Sequence, residues 1–401
     1  MTLESFADDA ENSASNTSEP DVPHKPVGDS VQAPLEENSM EQATPADKTS
    51  NLTSAVEVLT RLTQCVRSQV LGRDDVIELS IIALVSDGHV LLEDFPGSGK
   101  TTLAKALGEA IVNEEVGNDS LDEDQDFDKA IVPFRRIQFT PDLLPSDVTG
   151  VPVFDTNSNN FHFRHGPIFA HVVLADEINR TSPKVQAAML EAMGEKQVTV
   201  DNVTYLLDKL FFVIATQNPL DLVGTYPLPT PQLDRFLFKI TMDHIDRESE
   251  LDVLNTYRER RDTSAASLPK VTRSELLRAR KTIDEEVVID QTIKTALVDI
   301  SRNLRDDDRV LQGNSTRSMV LLLPALQVLA ALRHRDYVTA GDIETLLPRV
   351  LGHRIELAPG VSELSKVLKE CMREPMEQLA RATLSPRSEV SKNVAYQAPS
   401  S

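Results

Sequence analysis

Residues 96–102 have the types and spacing of a phosphate-binding loop. They belong to the stretch 91–102, LLEDFPGSGKTT, in which a short apolar run leads through a Pro/Gly-rich loop into a helical pattern. In such a loop the backbone N–H groups cradle phosphates, a lysine reaches the terminal phosphates and a hydroxyl binds Mg²⁺. Asp94 stands where the general pattern has its first glycine, so the loop alone does not decide the function. The candidate nucleotide-binding residues are Pro96, Gly97, Ser98, Gly99, Lys100, Thr101 and Thr102.

The acidic pair Asp176-Glu177 is a second candidate site. It ends the apolar stretch AHVVLAD at residues 170–176, which predicts a buried strand. Asp176 could help to hold the magnesium ion, and Glu177 could act as the base that polarises an attacking water. Acidic pairs at strand ends are common and mostly solvated. Here the pair follows a phosphate loop in the same chain, which favours nucleotide hydrolysis.

Asn218 follows a third apolar stretch. The sequence LFFVIAT at residues 210–216 predicts a strand, and the phosphate loop and the acidic pair also follow strand-like runs. Parallel α/β sheets bind their ligands at the carboxyl ends of the strands, so these three sets of side chains are expected to meet. Alternating residues at 151–163 and 197–207 predict two β-hairpins. The first domain is therefore predicted to be α/β with a parallel sheet.

Helical periodicity replaces strand patterns after about residue 243. The predicted helices cover residues 250–260, 274–283, 291–304, 318–332, 340–351 and 362–383. We find no convincing strand pattern among them, which predicts an all-helical second domain. Arg317 stands just before the longest apolar helix, so its side chain could project towards the first domain. A structural ion pair is the alternative for Arg317, and also for Arg235 in the segment 232–236.

The charge of the chain is unevenly distributed. The formal net charge is -22 over 401 residues. Residues 1–50 carry 11 acidic and 2 basic side chains, and residues 111–130 carry 8 acidic and 1 basic side chains, so the rest is only mildly acidic. This balance disfavours nucleic-acid binding, which needs a basic surface. The two cysteines have no zinc-binding spacing.

Composition also predicts the boundaries of the domains. The expected parts are a disordered acidic tail at 1–50, the α/β core at 51–242, the helical domain at 243–384 and a flexible tail at 385–401. The acidic run at 112–130 is interpreted as a solvated insertion, because Phe127 and Pro133 stand where a calcium loop needs Gly and Glu. Neither a signal peptide nor a membrane span is predicted, so we expect a cytoplasmic protein.

Taken together, the motifs resemble those of MoxR-type AAA+ ATPases over residues 56–376. HVLLEDFPGSGKTTLA is similar to the family's Walker A segment, and LADEINRTSPKVQAAMLEAM is similar to its Walker B segment. ATQNP resembles sensor 1, QLDRFLFKI the arginine-finger segment and GNSTRS the sensor 2 turn. FRRIQFTPDLLPSDVTGV and RDYVTAGDI complete the series. The acidic insertion and the first 50 residues lie outside the resemblance.

The resemblance implies a P-loop AAA+ core with a parallel sheet and a helix-2 insert hairpin, followed by an all-helical lid domain. It implies that the core binds ATP and Mg²⁺. Lys100 and Thr101 take the Walker A roles, and Asp176 and Glu177 take the Walker B roles. Thr101 and Asp176 would be the metal ligands. Asn218 takes the sensor 1 role, in which it orients the attacking water against the γ-phosphate.

The resemblance also gives roles to two arginines. Arg235 would be the finger that acts on a neighbouring subunit's ATP, and Arg317 would be the sensor 2 contact from the lid. Hydrolysis would then depend on assembly. Asp94 is tolerated in the loop of this family, whereas Asn314 and Thr316 replace the Ala and Pro of its sensor 2 turn.

The function implied by the resemblance is Mg²⁺-dependent ATP hydrolysis by a ring oligomer, expected as a hexamer. The ring would remodel or mature a protein client, with a von Willebrand factor A domain protein as the expected partner. The alternatives are a motor subunit of a metal-chelatase-like complex, a nucleotide-binding scaffold and a DNA-translocating motor. The intact Asp176-Glu177 pair argues against the scaffold, and the lack of a basic surface argues against the DNA motor.

Overall fold

The computed structural model describes most of the chain from residue 45 onwards. The described residues are 45–94, 97–113, 131–156, 159–219, 224–256, 258 and 270–384. The predictions of a disordered tail before residue 45, of a surface insertion at 114–130 and of a flexible tail at 385–401 lie outside these ranges. No helix within them combines the length and the apolar composition that crossing a bilayer requires.

The described residues form both strands and helices, with most of the longer helices in the C-terminal part. The strands are β1 Val90–Asp94, β2 Ile111–Val112, β3 Val132–Gln138, β4 Gly150–Asp155, β5 Asn160–His165, β6 Ala170–Asp176, β7 Gln197–Val200, β8 Val203–Leu206, β9 Phe212–Gln217, β10 Phe238–Met242, β11 Val271–Thr272, β12 Val310–Gln312 and β13 Glu356–Leu357. The helices are α1 Pro45–Gln69, α2 Asp74–Val85, α3 Lys100–Glu109, α4 Pro145–Thr149, α5 Pro183–Glu195, α6 Thr230–Leu233, α7 Arg247–Asn255, α8 Arg273–Glu286, α9 Gln291–Asp306, α10 Thr316–Leu332, α11 Ala340–Leu351 and α12 Leu364–Leu384.

Five parallel strands form the central sheet, in the spatial order β10-β1-β9-β6-β3. In the register of the three middle strands, Leu91 pairs with Ala215, and Ala215 pairs with Ala175. The middle strands are mostly apolar up to their carboxyl ends, and every residue of β6 is buried. Such continuous apolar runs are typical of parallel strands that are covered on both faces. The predicted parallel α/β sheet is therefore confirmed.

Two hydrophobic cores cover the two faces of this sheet. Leu92 and Leu174 point into a core that also contains residues of α1 to α3 and of α8 to α12. Leu91 and Val173, one position earlier in their strands, point into a second core with α5. The C-terminal helices therefore share one continuous core with the sheet.

The predicted helices after residue 243 correspond to α7 to α12, and residues 257, 259 and 260 of the first prediction lie outside the described residues. The prediction of no strands in this region was wrong, because β11 pairs with β2 and β12 pairs with β13. Strands of two or three residues are too short to show the two-residue alternation that reveals a strand in a sequence. At the other end, α1 begins at Pro45, before the boundary expected at residue 51. The fixed φ of proline suits the first turn of a helix.

Two β-hairpins project from the core, as predicted. The first pairs β4 with β5, and the second pairs β7 with β8. In the first hairpin Phe154 and Phe161 lie opposite each other, with ring centroids 5.1 Å apart. Phe154 is 46% exposed and Phe161 is 72% exposed. This hairpin therefore presents an aromatic pair to solvent.

His89 joins three elements at the entry to β1. Its Nε2 lies 3.1 Å from the carbonyl oxygen of Met193 in α5, and its Nδ1 accepts a hydrogen bond from the N–H of Val213 in β9, at 3.1 Å. Because Nδ1 is an acceptor, the proton of the neutral ring is assigned to Nε2. Burial lowers the pKa of His89 to about 4. The folded state therefore holds this ring neutral.

We expect the chain to lose stability as the pH falls from 7 to 5. The folded pKa of His89, about 4, lies below the ordinary value of 6.5, so the unfolded chain binds the proton more tightly. The contribution is complete above pH 6.5 and is lost as the pH falls towards 4. Its loss by pH 5 lowers the free energy of unfolding by about 2 kcal/mol, measurable by urea denaturation.

A matched pair of variants isolates this effect. His89→Gln should reduce the dependence of stability on pH between pH 7 and pH 5, whereas His162→Gln, at an exposed histidine, should keep it. Equal slopes in the wild-type chain and His89→Gln would contradict the assignment. Burial lowers the pKa of His353 to about 3. His353 therefore adds to the pH dependence of stability in the same direction in the wild-type chain and in both variants.

Candidate functional site

The phosphate loop enters α3 through two glycines in the left-handed region. Gly97 and Gly99 both have φ of +94°, a conformation that other residues rarely adopt. A Cβ atom built at either glycine meets no described atom within 4 Å, so there is open space beside the loop. Gly99 is the N-cap of α3, which begins at Lys100. Phe95 and Pro96 lie outside the described residues, so the predicted role of Pro96 stays a prediction.

The geometry of this loop fits an anionic phosphate group. A left-handed residue followed by a helical one, as at Gly99 and Lys100, turns successive N–H groups towards one point. The start of α3 adds free N–H groups and the positive end of its dipole. The Oγ of Ser98 is buried and has no hydrogen-bond partner among the described residues. Lys100 is half-buried, and Thr101 and Thr102 are exposed on the first turn.

Asp176 is the last residue of β6 and is 8% exposed. Its Oδ1 accepts a hydrogen bond from the Thr216 hydroxyl at 2.7 Å. Its Oδ2 accepts two hydrogen bonds from Arg136, one from Nη2 at 2.6 Å and one from Nε at 3.1 Å. The carboxylate is therefore held from both neighbouring strands, by β9 on one side and β3 on the other.

Glu177 follows with a left-handed backbone, φ +58°. Its N–H donates to the Thr216 hydroxyl at 2.8 Å, so that one hydroxyl links the two acidic residues. Its Oε2 accepts a hydrogen bond from Gln138 at 2.9 Å and lies 3.1 Å from Nε of Arg180. A left-handed conformation of a residue other than glycine costs on the order of 1 kcal/mol, so the surrounding contacts have to hold it. The backbone and the side chain of Glu177 are both held in place.

Asn218 lies at the same edge of the sheet. It directly follows Gln217, the last residue of β9, and Gln217 pairs in register with Glu93 near the end of β1. Gln217 also donates to the Glu93 carboxylate at 2.5 Å. The structure therefore brings the phosphate loop, the acidic pair and Asn218 together at the carboxyl edge of the sheet.

Arg73 reaches the phosphate loop from the start of α2. It is 8% exposed, and its Nη2 donates to the carbonyl oxygen of Ser98 at 3.3 Å. Its Nε is buried without a hydrogen-bond partner, and no carboxylate whose side chain the structure describes forms an ion pair with it. A buried cation without a counter-charge is costly, and an anion beside the loop would supply one.

Arg235 lies at the opposite, amino-terminal edge of the sheet. It precedes β10, whose entry is joined to the entry of β1 by the N–H of Leu237 and the carbonyl oxygen of His89, at 2.8 Å. The phosphate loop instead follows Asp94 at the other end of β1. Five extended residues separate the two edges by roughly 15 Å. Arg235 donates from Nη1 to the carbonyl oxygen of Leu190, and it does not reach the phosphate loop of its own chain.

Arg317 lies beside Arg235. A Cβ atom built at Gly194 would be 2.5 Å from Nη1 of Arg235 and 3.9 Å from Nη2 of Arg317. Gly194 is near the end of α5, next to Met193, whose carbonyl oxygen lies 3.1 Å from His89 at the entry to β1. The predicted site residues therefore fall into two groups, one at each edge of the sheet, and the two arginines form the second group.

The sequence did not reveal several residues that shape the site. Thr216 and Gln138 are the final or near-final residues of strands that flank the acidic pair, and a search of strand ends could have found them. Arg136 lies two residues before Gln138 and points to the same exposed side of β3. Arg73 gives no such signal, because its partner Ser98 is 25 residues away along the chain.

Two parts of the chain match known protein families. Residues 125–238 match the ATPase family associated with various cellular activities (AAA), and residues 302–370 match the AAA lid domain. The first match begins after the phosphate loop, within the acidic insertion. It includes Asp176, Glu177, Asn218 and Arg235, and the second match includes Arg317.

Whole relatives agree with these matches. Chaperone MoxR1 of Mycobacterium tuberculosis is 33% identical over 319 residues, covering 76% of this chain and 78% of that protein. The uncharacterized protein YeaC of Bacillus subtilis is 45% identical over 289 residues, covering 72% of this chain and 84% of that protein. The crystal structure of a candidate ATPase from Cytophaga hutchinsonii superposes with a TM-score of 0.71 at 32% identity, covering 82% of this chain and 97% of that one. The chain belongs to the MoxR family of AAA+ ATPases.

Proposed function

We propose that the protein hydrolyses ATP in a ring oligomer, expected as a hexamer, in which a neighbouring copy completes each site. The observation that carries the proposal is the division of the site residues between the two edges of one sheet. A chain whose phosphate loop and arginines lie roughly 15 Å apart cannot bring both to one nucleotide. A head-to-tail arrangement of copies can, and it closes into a ring.

The carboxyl edge would bind the substrate. Lys100 and the N–H groups of residues 97–102 would bind the phosphates of ATP. The Thr101 hydroxyl and the Asp176 carboxylate offer the oxygen ligands that Mg²⁺ prefers. When bound, the ion would neutralise charge on the phosphate oxygens. Arg136 balances the charge of Asp176 in the described chain and would have to release its carboxylate for this role.

Glu177 would act as the general base. It would accept a proton from water while the water oxygen bonds to the γ-phosphorus and the bond to the bridging oxygen of ADP breaks. Asn218 would orient the water, and Gln138 would hold the Glu177 carboxylate until then. Arg235 and Arg317 of the adjacent copy would stabilise the charge that develops on the phosphoryl oxygens.

Remodelling of a protein client is the proposed use of this hydrolysis. The exposed aromatic pair Phe154 and Phe161 supports it, because apolar groups presented to solvent together mark surfaces that bind other proteins. The relative MoxR1 carries the name of a chaperone. A partner with a von Willebrand factor A domain and a cytoplasmic location stay predictions.

The dependence of turnover on protein concentration tests the proposal. Phosphate release per chain should rise with concentration and level off as the ring assembles, because a single chain lacks the arginines at its own site. Native mass spectrometry at the same concentrations should show the oligomer appearing in parallel. Constant turnover per chain over a range in which the protein is monomeric would overturn the proposal.

Arg73 is expected to strengthen ATP binding. Arg73→Gln should weaken the affinity for ATP roughly tenfold, because a buried charged hydrogen bond is worth more than a neutral one. Titration with a fluorescent ATP analogue measures the change. The control is Arg67→Gln, which removes an exposed arginine paired with Asp74 on the surface. Equal affinities in the two variants would contradict a role for Arg73 at the loop.

A further inference from the structure

Arg354 connects the helical region to the segment that carries Arg235. It follows α11 and is 2% exposed. Its Nε donates to Oδ1 of Asp234 at 2.6 Å, and its Nη2 donates to the carbonyl oxygens of Phe236 at 2.6 Å and Asp234 at 3.1 Å. Its Nη1 donates to the carbonyl oxygen of Leu237 at 3.2 Å and to that of Val350 in α11.

Every N–H group of the Arg354 guanidinium has an acceptor. It has five N–H donors, and the structure provides five acceptors, four of which belong to residues 234–237. His353 adds one more contact, since its Nε2 lies 3.0 Å from the carbonyl oxygen of Phe236. The backbone on both sides of Arg235 is therefore fixed by two consecutive residues after α11.

Asp234 extends the connection to Arg317. Its Oδ1 accepts a hydrogen bond from the Ser318 hydroxyl at 3.0 Å, and its Oδ2 accepts one from the Ser315 hydroxyl at 3.2 Å. Arg317 stands between these two serines in the first turn of α10. One pair, Arg354 with Asp234, therefore anchors the segments of both arginines.

The two arginines need such an anchor because of their like charges. Arg235 and Arg317 carry like charges beside the same Gly194, so they repel each other and stay together only if their backbones are held. Stabilisation of a transition state requires charges that are already in place, and an error of about 1 Å can reduce a rate on the order of 10²-fold.

We propose that Arg354 is a positioning residue for hydrolysis at the neighbouring copy's site. With Asp234 it fixes Arg235 and Arg317 as one pair of cations for the phosphoryl oxygens of that neighbour's ATP. This inference rests on the proposed function, because it requires the arginines to act on another chain. A contact that merely stabilises the fold would not place the defect in the neighbour's site.

Single variants give the first test. Arg354→Met should lower kcat at least tenfold. The affinity for ATP should stay within twofold of the wild type, and the oligomer should keep the same number of subunits. Arg354→Lys should recover only part of the rate, because an ammonium group cannot reproduce the planar fork of five donors. Arg349→Met, at an exposed arginine near the end of α11, is the matched control and should behave as the wild type.

Mixed rings give the decisive test. Lys100→Ala lacks a working phosphate loop but keeps the arginine pair, whereas Arg354→Met keeps the loop. Mixing the two should restore turnover above the sum of the separate proteins. Mixing Arg354→Met with Arg235→Ala should restore nothing, since both lack the correctly placed arginines.

The outcomes separate this inference from the proposed function. A kcat of Arg354→Met within twofold of the wild type would overturn the inference. The inference would also be overturned if Arg354→Met lost kcat but its mixture with Lys100→Ala did not regain turnover, while the mixture of Arg235→Ala with Lys100→Ala did. If Arg235→Ala also fails to recover, the proposed function itself fails. Asp234→Asn carries the same test should Arg354→Met not fold, because it removes the charge of the pair and keeps its shape.

Discussion

Replacement of Arg235 by alanine is expected to lower kcat by about 10³-fold, the usual effect of removing a finger-type arginine. The affinity for ATP should stay within about threefold of the wild type, since Arg235 lies at the edge of the sheet opposite its own phosphate loop. The physical reason is electrostatic. The charge of the triphosphate shifts among its oxygens in the transition state, and a counter-charge placed for that distribution affects the rate more than the binding.

Steady-state phosphate release and nucleotide titration measure the two effects separately. Arg278→Ala removes an exposed arginine in α8 and serves as the control. A matching loss of ATP affinity would contradict the assignment, because Arg235 would then bind the ground state of ATP as strongly as the transition state. Undiminished turnover would do the same.

The second large effect is expected at Glu177. Glu177→Gln should lower turnover by about 10²- to 10⁴-fold, the usual effect of removing a general base, and should keep ATP binding. The amide has nearly the shape of the carboxylate and can still contact Gln138 and Arg180, so the local structure should survive. It cannot accept the proton of the attacking water.

Rapid-quench measurement of a single turnover tests this directly, because it removes product release from the rate. Glu78→Gln, at an exposed carboxylate of α2, is the control. If Glu177→Gln turned over ATP at the wild-type rate, the base would have to be another group.

Local patterns predicted the carboxyl edge of the sheet well. Asp176, Asn218 and the loop each follow an apolar run, and a parallel sheet has to bring the ends of such runs together. The sequence identified the two arginines as candidate site residues, but it did not predict that they lie side by side. Arg235 and Arg317 are brought together by the approach of α10 to the segment before β10, and no short-range pattern encodes that approach.

The same reason explains what the sequence could not reveal. Arg354 and Asp234 are 120 residues apart, and Arg73 and Ser98 are 25 residues apart. Contacts at such separations leave no periodic trace in one chain. The short strands β11 to β13 were missed for the opposite reason, since they are too short for any period to show.

The central claim is that each hydrolytic site combines the phosphate loop of one chain with the arginines of another. The most direct test is ATP turnover of an equimolar mixture of Lys100→Ala and Arg235→Ala, with co-assembly verified by native mass spectrometry. Each variant alone should be inactive. In the mixture roughly a quarter of the interfaces join an intact loop to intact arginines, so turnover should rise well above the sum of the two proteins. Turnover that stays at that sum in verified mixed rings would contradict the claim.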